Sequence, residues 1–170
     1  SVMSNTATCL IQLKDLENAK EYYRKLEAEH SNNKEQIGRI YANMGAIYSE
    51  QDSFEMAKTY FEKSIPYLKS NGELLRLGSS YYNLISVHLA LNNPENAFKN
   101  AKLAEPIYVK YNPARLGFLY YGFGSIYASL DSTGKALEFY TKALDIAIDG
   151  EQWLEAKSTT QQLSLLYEKE

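Results

Sequence analysis

Small and apolar residues recur along this chain at a regular long interval. The same alanine position returns after 38, 40 and 39 residues, at Ala19, Ala57, Ala97 and Ala136. Apolar residues also stand four residues after each alanine and sixteen residues before it. Because residues three and four apart share one face of an α-helix, this spacing predicts amphipathic helices that stack in repeating units.

Polar turn residues separate these segments. Side-chain oxygens that can cap a helix precede the second helix of each unit, at Asp15, Asp52–Ser53, Asn92–Asn93 and Asp131–Ser132. The turns predict helices over residues 2–13, 16–29, 34–50, 54–69, 73–91, 94–110, 114–130, 133–148 and 152–168. Pro66 and Pro106 fall inside two of these helices, and we expect them to kink or end the helix there.

The second and fourth units show the pattern most clearly. They read Tyr41-x2-Met44-Gly45-x2-Tyr48…Ala57-x3-Phe61 and Tyr120-x2-Phe123-Gly124-x2-Tyr127…Ala136-x3-Tyr140. This pattern resembles the tetratricopeptide repeat (TPR), although Ile85 and His88 replace the usual Gly and Tyr in the third unit. The resemblance implies an all-α fold, a right-handed TPR solenoid of four helix pairs plus a terminal helix. The repeats would span about 1–33, 34–72, 73–113 and 114–150 of a single array, followed by the terminal helix at 151–170.

The small residues of the pattern predict close helix contacts. Gly45, Gly124 and the recurring alanines leave room for the two helices of a pair to approach each other. We expect Ala57 and Ala136 to be buried where the helices of one pair cross, so that a larger side chain there would overpack the core.

Both ends of the sequence look cut from a longer repeat array. The last segment resembles the first helix of a further repeat, and the alternative is a solvating cap of the kind that such arrays need. Leu163, Leu166 and Tyr167 would offer an apolar face that the fragment should either cover by self-association or expose. Trp153, at the start of this helix, is expected to anchor packing between helices.

Composition narrows the classes of function. The 170 residues include 18 Lys and Arg against 21 Asp and Glu, and a formal charge of −3 argues against a nucleic-acid-binding surface. The single cysteine, Cys9, cannot form an internal disulfide. The least charged stretch, 116–130, is shorter than the roughly 20 apolar residues of a membrane span. We therefore predict no nucleic-acid partner and no membrane insertion by this segment.

No arrangement of residues predicts catalysis. His88 occupies a packing position of the repeat, His30 ends a helix, and Cys9 has no histidine near it in sequence. No Cys and His residues have the spacing of a zinc site, and the carboxylates alternate with lysines on helix surfaces. We therefore predict a non-enzymatic segment with no cofactor and no metal.

The resemblance also implies a ligand-binding face. In TPR folds the first helix of each pair lines a concave surface on which extended peptides bind. The corresponding positions here are Arg39, Asn43, Ser79, Tyr82, Asn83, Ser86, Phe118, Tyr121, Ser125, Lys157 and Gln161. We predict a pocket walled by Tyr82, Phe118 and Tyr121, with the amide and hydroxyl side chains as polar contacts. Arg39 and Lys157 would lie towards the rims, where Arg39 could pair with a ligand carboxylate.

Units of 38–40 residues that are rich in Asn, Lys and Tyr are similar in style to the sensor segments of Bacteroidetes-type histidine kinases and related bacterial regulators. That resemblance implies a protein- or peptide-binding segment of a bacterial signal-transduction protein, periplasmic if it precedes a membrane helix and a kinase. The alternative is a cytoplasmic TPR scaffold, or a regulator that binds a signalling peptide.

Overall fold

Helices make up the regular secondary structure of the described chain. The computed structural model describes residues 15–30 and 32–168. Its α-helices are α1 Leu16–Glu29, α2 Lys34–Glu50, α3 Phe54–Ser70, α4 Leu74–Ala90, α5 Pro94–Tyr111, α6 Leu116–Ser129, α7 Thr133–Asp149 and α8 Trp153–Tyr167. A short 3-10 helix, Pro113–Arg115, precedes α6. The all-α fold class is confirmed, and each described boundary lies within two residues of its prediction. The predicted helix 2–13, with Cys9, lies outside the described residues.

Five of the turns between the described helices share one backbone conformation. The residue two positions before the next helix has a positive φ at Asp52, Gly72, Asn92, Asp131 and Glu151. Asp and Asn tolerate this left-handed region, and glycine has no Cβ to clash with the following carbonyl. Glu151, with a φ of 54°, puts a longer side chain into the same strained position.

Side-chain caps form at some of the predicted positions. Asp15 accepts a hydrogen bond from the backbone N–H of Asn18 at 3.4 Å, and Asn93 accepts one from that of Asn96 at 3.2 Å. Ser53 occupies the capping position of α3, but its side chain makes no capping hydrogen bond. Ser132 before α7 also makes no capping hydrogen bond. Both serines thus occupy the predicted capping position, but the predicted capping hydrogen bond is absent.

The two internal prolines do not end their helices. α3 continues beyond Pro66 to Ser70, and α5 continues beyond Pro106 to Tyr111. A proline removes the hydrogen bond to the carbonyl four residues earlier, here that of Glu62 or Lys102. These residues and both prolines are exposed, so water can satisfy the carbonyls, and the helix persists.

The chain divides into two compact units, the first ending at Ser80 and the second beginning at Tyr81, within α4. In the first unit α2 packs against α3, and Ala57 and Phe61 are fully buried between them. A Cβ added to Gly45 would lie only 2.7 Å from Cδ1 of Phe61. The predicted burial of Ala57 is confirmed, and a glycine permits the close approach.

In the second unit α6 packs against α5 and α7, and α8 packs against α7. One buried cluster contains Leu119, Phe123 and Ile126 of α6 together with alanines of α5. A second cluster joins Ala136 and Tyr140 of α7 to Leu163 and Leu166 of α8. A Cβ on Gly124 would lie 2.6 Å from Cδ1 of Tyr140, which repeats the geometry of the first unit.

The terminal helix corrects two expectations. Leu163 and Leu166 do not form an exposed face, because the stripe Ala156, Thr159, Leu163 and Leu166 is buried, and both leucines contact the α7 cluster. Trp153 is not a packing anchor but 67% exposed. The buried stripe extends backwards by four residues to the half-buried Gln152, which leaves Trp153 on the outer side of the first turn. None of the helices in residues 15–30 and 32–168 has the length and apolar character needed to cross a membrane.

Candidate functional site

A pocket of about 270 Å³ opens in the second unit. Four helices and one turn contribute to its wall: α4 provides one aromatic residue, α6 provides two aromatics and a glycine, and the remainder comes from α7, the α7–α8 turn and α8. The lining residues are Tyr82, Gly117, Phe118, Tyr121, Ala143, Ala147, Gln152, Leu154, Glu155, Ser158 and Thr159. The pocket therefore combines an aromatic wall, a floor of small and aliphatic residues and a polar border.

The aromatic wall comes from three side chains that the sequence singled out. Phe118 and Tyr121 are three residues apart on α6, so they project to the same side of the helix. The rings of Tyr82 and Phe118 meet edge to face with their centroids 6.4 Å apart. Tyr121 packs against the buried Tyr140 at 5.3 Å. The sequence-predicted meeting of Tyr82, Phe118 and Tyr121 around one pocket is thus present in the structure.

The two tyrosines of this wall are half-buried. Burial raises the pKa of Tyr82 to about 12, an effect that Tyr108 and Tyr121 reinforce and Arg115 opposes. Burial also raises the pKa of Tyr121. Water is therefore partly excluded from the aromatic side of the pocket, where an electrostatic contact gains strength.

The small residues of the floor create the space of the pocket. Ala143 and Ala147 are one turn apart on α7, and each is only 2% exposed. Gly117 belongs to the same floor, since a Cβ there would lie 3.2 Å from Cγ2 of Ile146. Larger side chains at Ala143 or Ala147 would fill the pocket, so the composition of these two helix turns determines its volume.

Some polar groups at the border of the pocket have hydrogen-bond partners within the chain, and others do not. Ser158 donates to the carbonyl oxygen of Leu154 at 3.0 Å, and Thr159 donates to that of Glu155 at 2.8 Å. Oε1 of Gln152 is buried and accepts no hydrogen bond from any described residue. The carboxylate of Glu155 forms no ion pair within the described part of the chain. The carboxylate of Glu155 therefore remains free for a ligand, whereas Oε1 of Gln152 is closed to solvent and the two hydroxyl protons are already used.

The predicted site residues of the first unit have partners within the chain. Arg39 pairs with Glu35 at 2.7 Å and with Glu73 at 2.8 Å. Hydrogen bonding to Glu73 is also the main reason why the pKa of Arg39 is raised. The expected role of Arg39 as a clamp for a ligand carboxylate is not supported, because two glutamates of the chain already occupy its guanidinium.

The other two predicted residues of this unit are also engaged. Asn43 donates from Nδ2 to the hydroxyl of the buried Tyr23 at 2.9 Å. Ser79 donates to the carbonyl oxygen of Leu75, one turn earlier in α4, at 3.0 Å. The structure therefore gives these side chains intramolecular roles.

The remaining predicted residues of the second unit do not line the pocket: Asn83, Ser86, Ser125, Lys157 and Gln161. The hydroxyl of Ser125 contacts the carbonyl oxygen of Tyr121 at 3.1 Å and the hydroxyl of Tyr140 at 3.0 Å, so it joins α6 to α7. Ser86, Lys157 and Gln161 are exposed, and Asn83 is half-buried. The predicted polar contacts and the Lys157 rim thus belong to other surfaces.

The contributions of α7 and of the turn before α8 were not predicted from the sequence. The family rule assigns the inner surface to the first helix of each pair, and α7 is a second helix. One signal was available, since Ala143 and Ala147 put two small residues at a helical spacing of four, close to the acidic turn 149–151. Small residues on one face of a helix indicate either close packing against another helix or a cavity beside that face.

No metal centre emerges from the described residues. Among residues 15–30 and 32–168, no three His, Cys, Asp or Glu side chains are close enough together to hold a metal ion. His88 is 5% exposed, as expected for the packing position that it takes in the repeat.

Comparisons with known proteins identify the repeat. A family model described as "Tetratricopeptide repeat" matches residues 2–27, 38–65 and 119–147. These three segments are tetratricopeptide repeats. The matched TPR segments correspond to the first, second and fourth predicted units, and the divergent third unit, with Ile85 and His88, lies between them.

Solved structures agree with the TPR fold. BtubC (BKLC) from P. vanneervenii superposes with a TM-score of 0.73 at 14% identity, over 98% of this chain and 79% of that one. The ArsTM double mutant of MamA RS-1 superposes with a TM-score of 0.66 at 15% identity, over 99% of this chain and 94% of that one. At these identities the similarity establishes the fold alone. A search of curated proteins finds no match.

Proposed function

We propose that this TPR chain is a non-catalytic protein-interaction module whose second unit binds an extended peptide or an extended segment of a partner protein. The observation that carries the proposal is the pocket walled by Tyr82, Phe118 and Tyr121. Tyrosine and phenylalanine offer large contact areas at small conformational entropy cost, and such anchors dominate binding energy at interfaces.

The volume indicates how much of a ligand the pocket accepts. An engineered cavity of about 150 Å³ holds benzene, so 270 Å³ accommodates one large side chain or two small ones. An extended peptide would therefore insert one anchoring side chain here and lay its neighbours over the exposed surface around the mouth. Ser86, Lys157 and Gln161 are exposed in the same unit and are available for such outer contacts.

The wider setting is a second part of the proposal. The style of the repeats favours a sensor or interaction segment of a bacterial signal-transduction protein, and the alternative is a cytoplasmic TPR scaffold or signalling-peptide-binding regulator. The sequence that flanks this segment in its gene separates the two: a secretory signal upstream and a membrane helix with a kinase downstream support the sensor. Flanks without them support the scaffold.

We also propose self-association through α8, because several large apolar side chains of this helix are exposed. Trp153, Leu154, Leu165 and Tyr167 are between 46% and 73% exposed along this helix. A second copy could cover them. A dilution series followed by light scattering should reveal a dimer that Trp153→Ser weakens, and a monomer at all concentrations would contradict this assignment.

Blocking the pocket provides the direct test of peptide binding. Ser158 is exposed and lines the pocket, so Ser158→Trp should fill the mouth without disturbing the core. Ser164 is exposed on the same helix but does not line the pocket, and Ser164→Trp is the matched control. Peptides would be selected on the parent protein from a random-peptide display library, and their dissociation constants would be measured by fluorescence anisotropy.

The expected result is a loss of at least tenfold in affinity for Ser158→Trp and little change for Ser164→Trp. Tyr121→Ala should lower affinity by about 2 kcal/mol or more, roughly thirtyfold. Circular dichroism would verify that each variant keeps its helical content. Equal affinities of the parent and both pocket variants would contradict the proposed site, and a failure to select any peptide would contradict the proposed function.

A further inference from the structure

The pocket has an unbalanced negative charge. Of its lining residues Glu155 alone is charged, and its carboxylate forms no ion pair within the described ranges. Asp149 and Glu151 precede the lining residue Gln152 in the adjoining turn, do not line the pocket, and form no ion pair within the described residues. Residues 143–156 contain no Lys or Arg. Several exposed glutamates elsewhere are paired with lysines, as Glu138 is with Lys142 at 2.6 Å and Glu21 is with Lys25 at 2.8 Å.

The aromatic rings of the pocket also lack a cationic partner, unlike several other rings of the chain. Lysines lie over several half-buried rings, with Lys135 5.0 Å from the centroid of Tyr127 and Lys142 5.0 Å from that of Phe139. No cation of the described chain lies over the rings of the three pocket aromatics. The face of an aromatic ring attracts a cation, most strongly where water is excluded. The pocket therefore offers both elements of a cation site, a carboxylate and uncovered rings.

A third observation adds a hydrogen-bond acceptor. Oε1 of Gln152 is buried without a donor in the described chain, and leaving such an acceptor unsatisfied is unfavourable. The ammonium group of a lysine carries three donors and the guanidinium group of an arginine carries five, whereas an apolar side chain carries none. Oε1 is closed to solvent in the structure, so the Gln152 amide would have to turn towards the pocket for a ligand head group to satisfy it.

We propose that the pocket selects a basic side chain, Lys or Arg, of the bound peptide. The inference rests on the proposed function and specifies its ligand. The methylene stem of the basic residue would pack against Ala143, Ala147 and Leu154, as long charged side chains do on apolar surface. The cationic head would lie between the aromatic wall and the carboxylate of Glu155.

One cation of the chain opposes this arrangement. Arg115 lowers the pKa of the Tyr82 hydroxyl slightly, so its charge acts on that side of the pocket. Arg115 is exposed, does not line the pocket and forms no ion pair with Glu155. Its charge is therefore screened by solvent, whereas Glu155 is itself a lining residue of the pocket.

The test compares charge reversal in the ligand with charge removal in the protein. Peptides selected on the parent from random-peptide display would be resynthesised with the enriched basic residue replaced by norleucine, which keeps the apolar stem, or by glutamate. Affinities would be measured for the parent, for Glu155→Gln and for Glu151→Gln. The last variant removes the same charge from an exposed residue four positions earlier that does not line the pocket.

We expect Lys or Arg to be enriched at one position of the selected peptides. The parent should prefer the basic peptide over its norleucine version by about tenfold, Glu155→Gln should reduce this preference to about twofold, and Glu151→Gln should preserve it. Raising the salt concentration should weaken the basic peptide more than the norleucine peptide.

Two results would overturn the inference and leave the proposed function intact. In the first, the selected peptides insert an apolar residue and Ser158→Trp still abolishes their binding. In the second, Glu155→Gln retains the full preference for the basic peptide. Failure to select any peptide would instead overturn the proposed function, and the inference with it.

Discussion

The two units of the chain use the same helix-pair geometry but treat their polar side chains differently. In the first unit Arg39 binds Glu35 and Glu73, and Asn43 binds Tyr23, so the polar groups satisfy one another. The second unit contains a pocket in which Oε1 of Gln152 and the carboxylate of Glu155 have no partner in the described chain. A side chain's position in the repeat therefore defines the direction in which it projects. The residues that surround the side chain decide whether it remains available to a ligand.

The largest expected effect is on stability, and it tests the close glycine–aromatic contact that both units share. Gly45→Ala and Gly124→Ala each place a Cβ less than 3 Å from an aromatic ring of the partner helix, so each should lower the free energy of unfolding by about 3 kcal/mol. Gly122→Ala is the control on α6, because its Cβ would lie 3.4 Å from Cδ1 of Ile85, an ordinary contact. Urea unfolding followed by circular dichroism measures all three variants. A loss for Gly122→Ala equal to that for Gly124→Ala would contradict the helix-pair contact.

Unfolding at alkaline pH tests the burial of Tyr82 in the aromatic wall of the second unit. Burial raises the pKa of Tyr82 to about 12 from an ordinary value near 10, so the phenol ionises more readily in the unfolded chain. The stability linked to this group is complete below pH 10 and is lost as pH rises from 10 to 12, by about 2 kcal/mol. Tyr82→Phe should therefore reduce the fall in unfolding free energy between pH 9 and pH 11.5. An unchanged fall would show that Tyr82 is not buried as described.

Two asparagines at equivalent repeat positions test whether polar side chains have partners in the first unit but not in the second. Asn43 and Asn83 occupy the same position of successive repeats. Asn43→Ala removes the donor to the hydroxyl of Tyr23, a residue only 4% exposed, and should lower stability by about 1–2 kcal/mol. Asn83→Ala removes no hydrogen bond within the described residues and should leave stability nearly unchanged. Equal losses in chemical unfolding would remove the distinction between the two units.

The smallest effect concerns the turn before α8. Glu151 has a φ of 54°, which is strained for a residue with a Cβ. Glu151→Gly should raise the unfolding free energy by about 0.5–1 kcal/mol, because the relief of strain outweighs the greater freedom of the unfolded glycine. Glu151→Ala, which keeps the Cβ, provides the comparison and should give no such gain. A thermal melt of the two variants side by side would show the difference.

Much of the fold was predictable because the turns are local in sequence. Asp52, Asn92 and Asp131 tolerate a left-handed backbone, and the helix boundaries follow from them. The burial of Ala57 and Ala136 follows from the repeat spacing. The continuation of α3 through Pro66 was not predictable from the residue alone, since it depends on which side of the helix faces water.

The candidate site was predictable in its aromatic half only. Phe118 and Tyr121 share one face of a helix, which the sequence reveals. The polar half depends on partners that are distant in sequence: Arg39 meets Glu73, and Ser125 meets Tyr140, and neither pairing follows from the repeat. Gln152 and Glu155 enter the pocket because α8 packs on α7, and a single-helix rule does not predict that contact.

The central claim is that the second unit, and within it the aromatic pocket, binds the ligand. Backbone amide chemical shifts of the ¹⁵N-labelled chain, recorded while a selected peptide is added, test this most directly. The account predicts that the largest shifts fall on Gly117, Tyr121, Ala147, Glu155 and Ser158, and that Ser158→Trp abolishes them. Shifts confined to residues of the first unit, around Arg39 and Asn43, would contradict it.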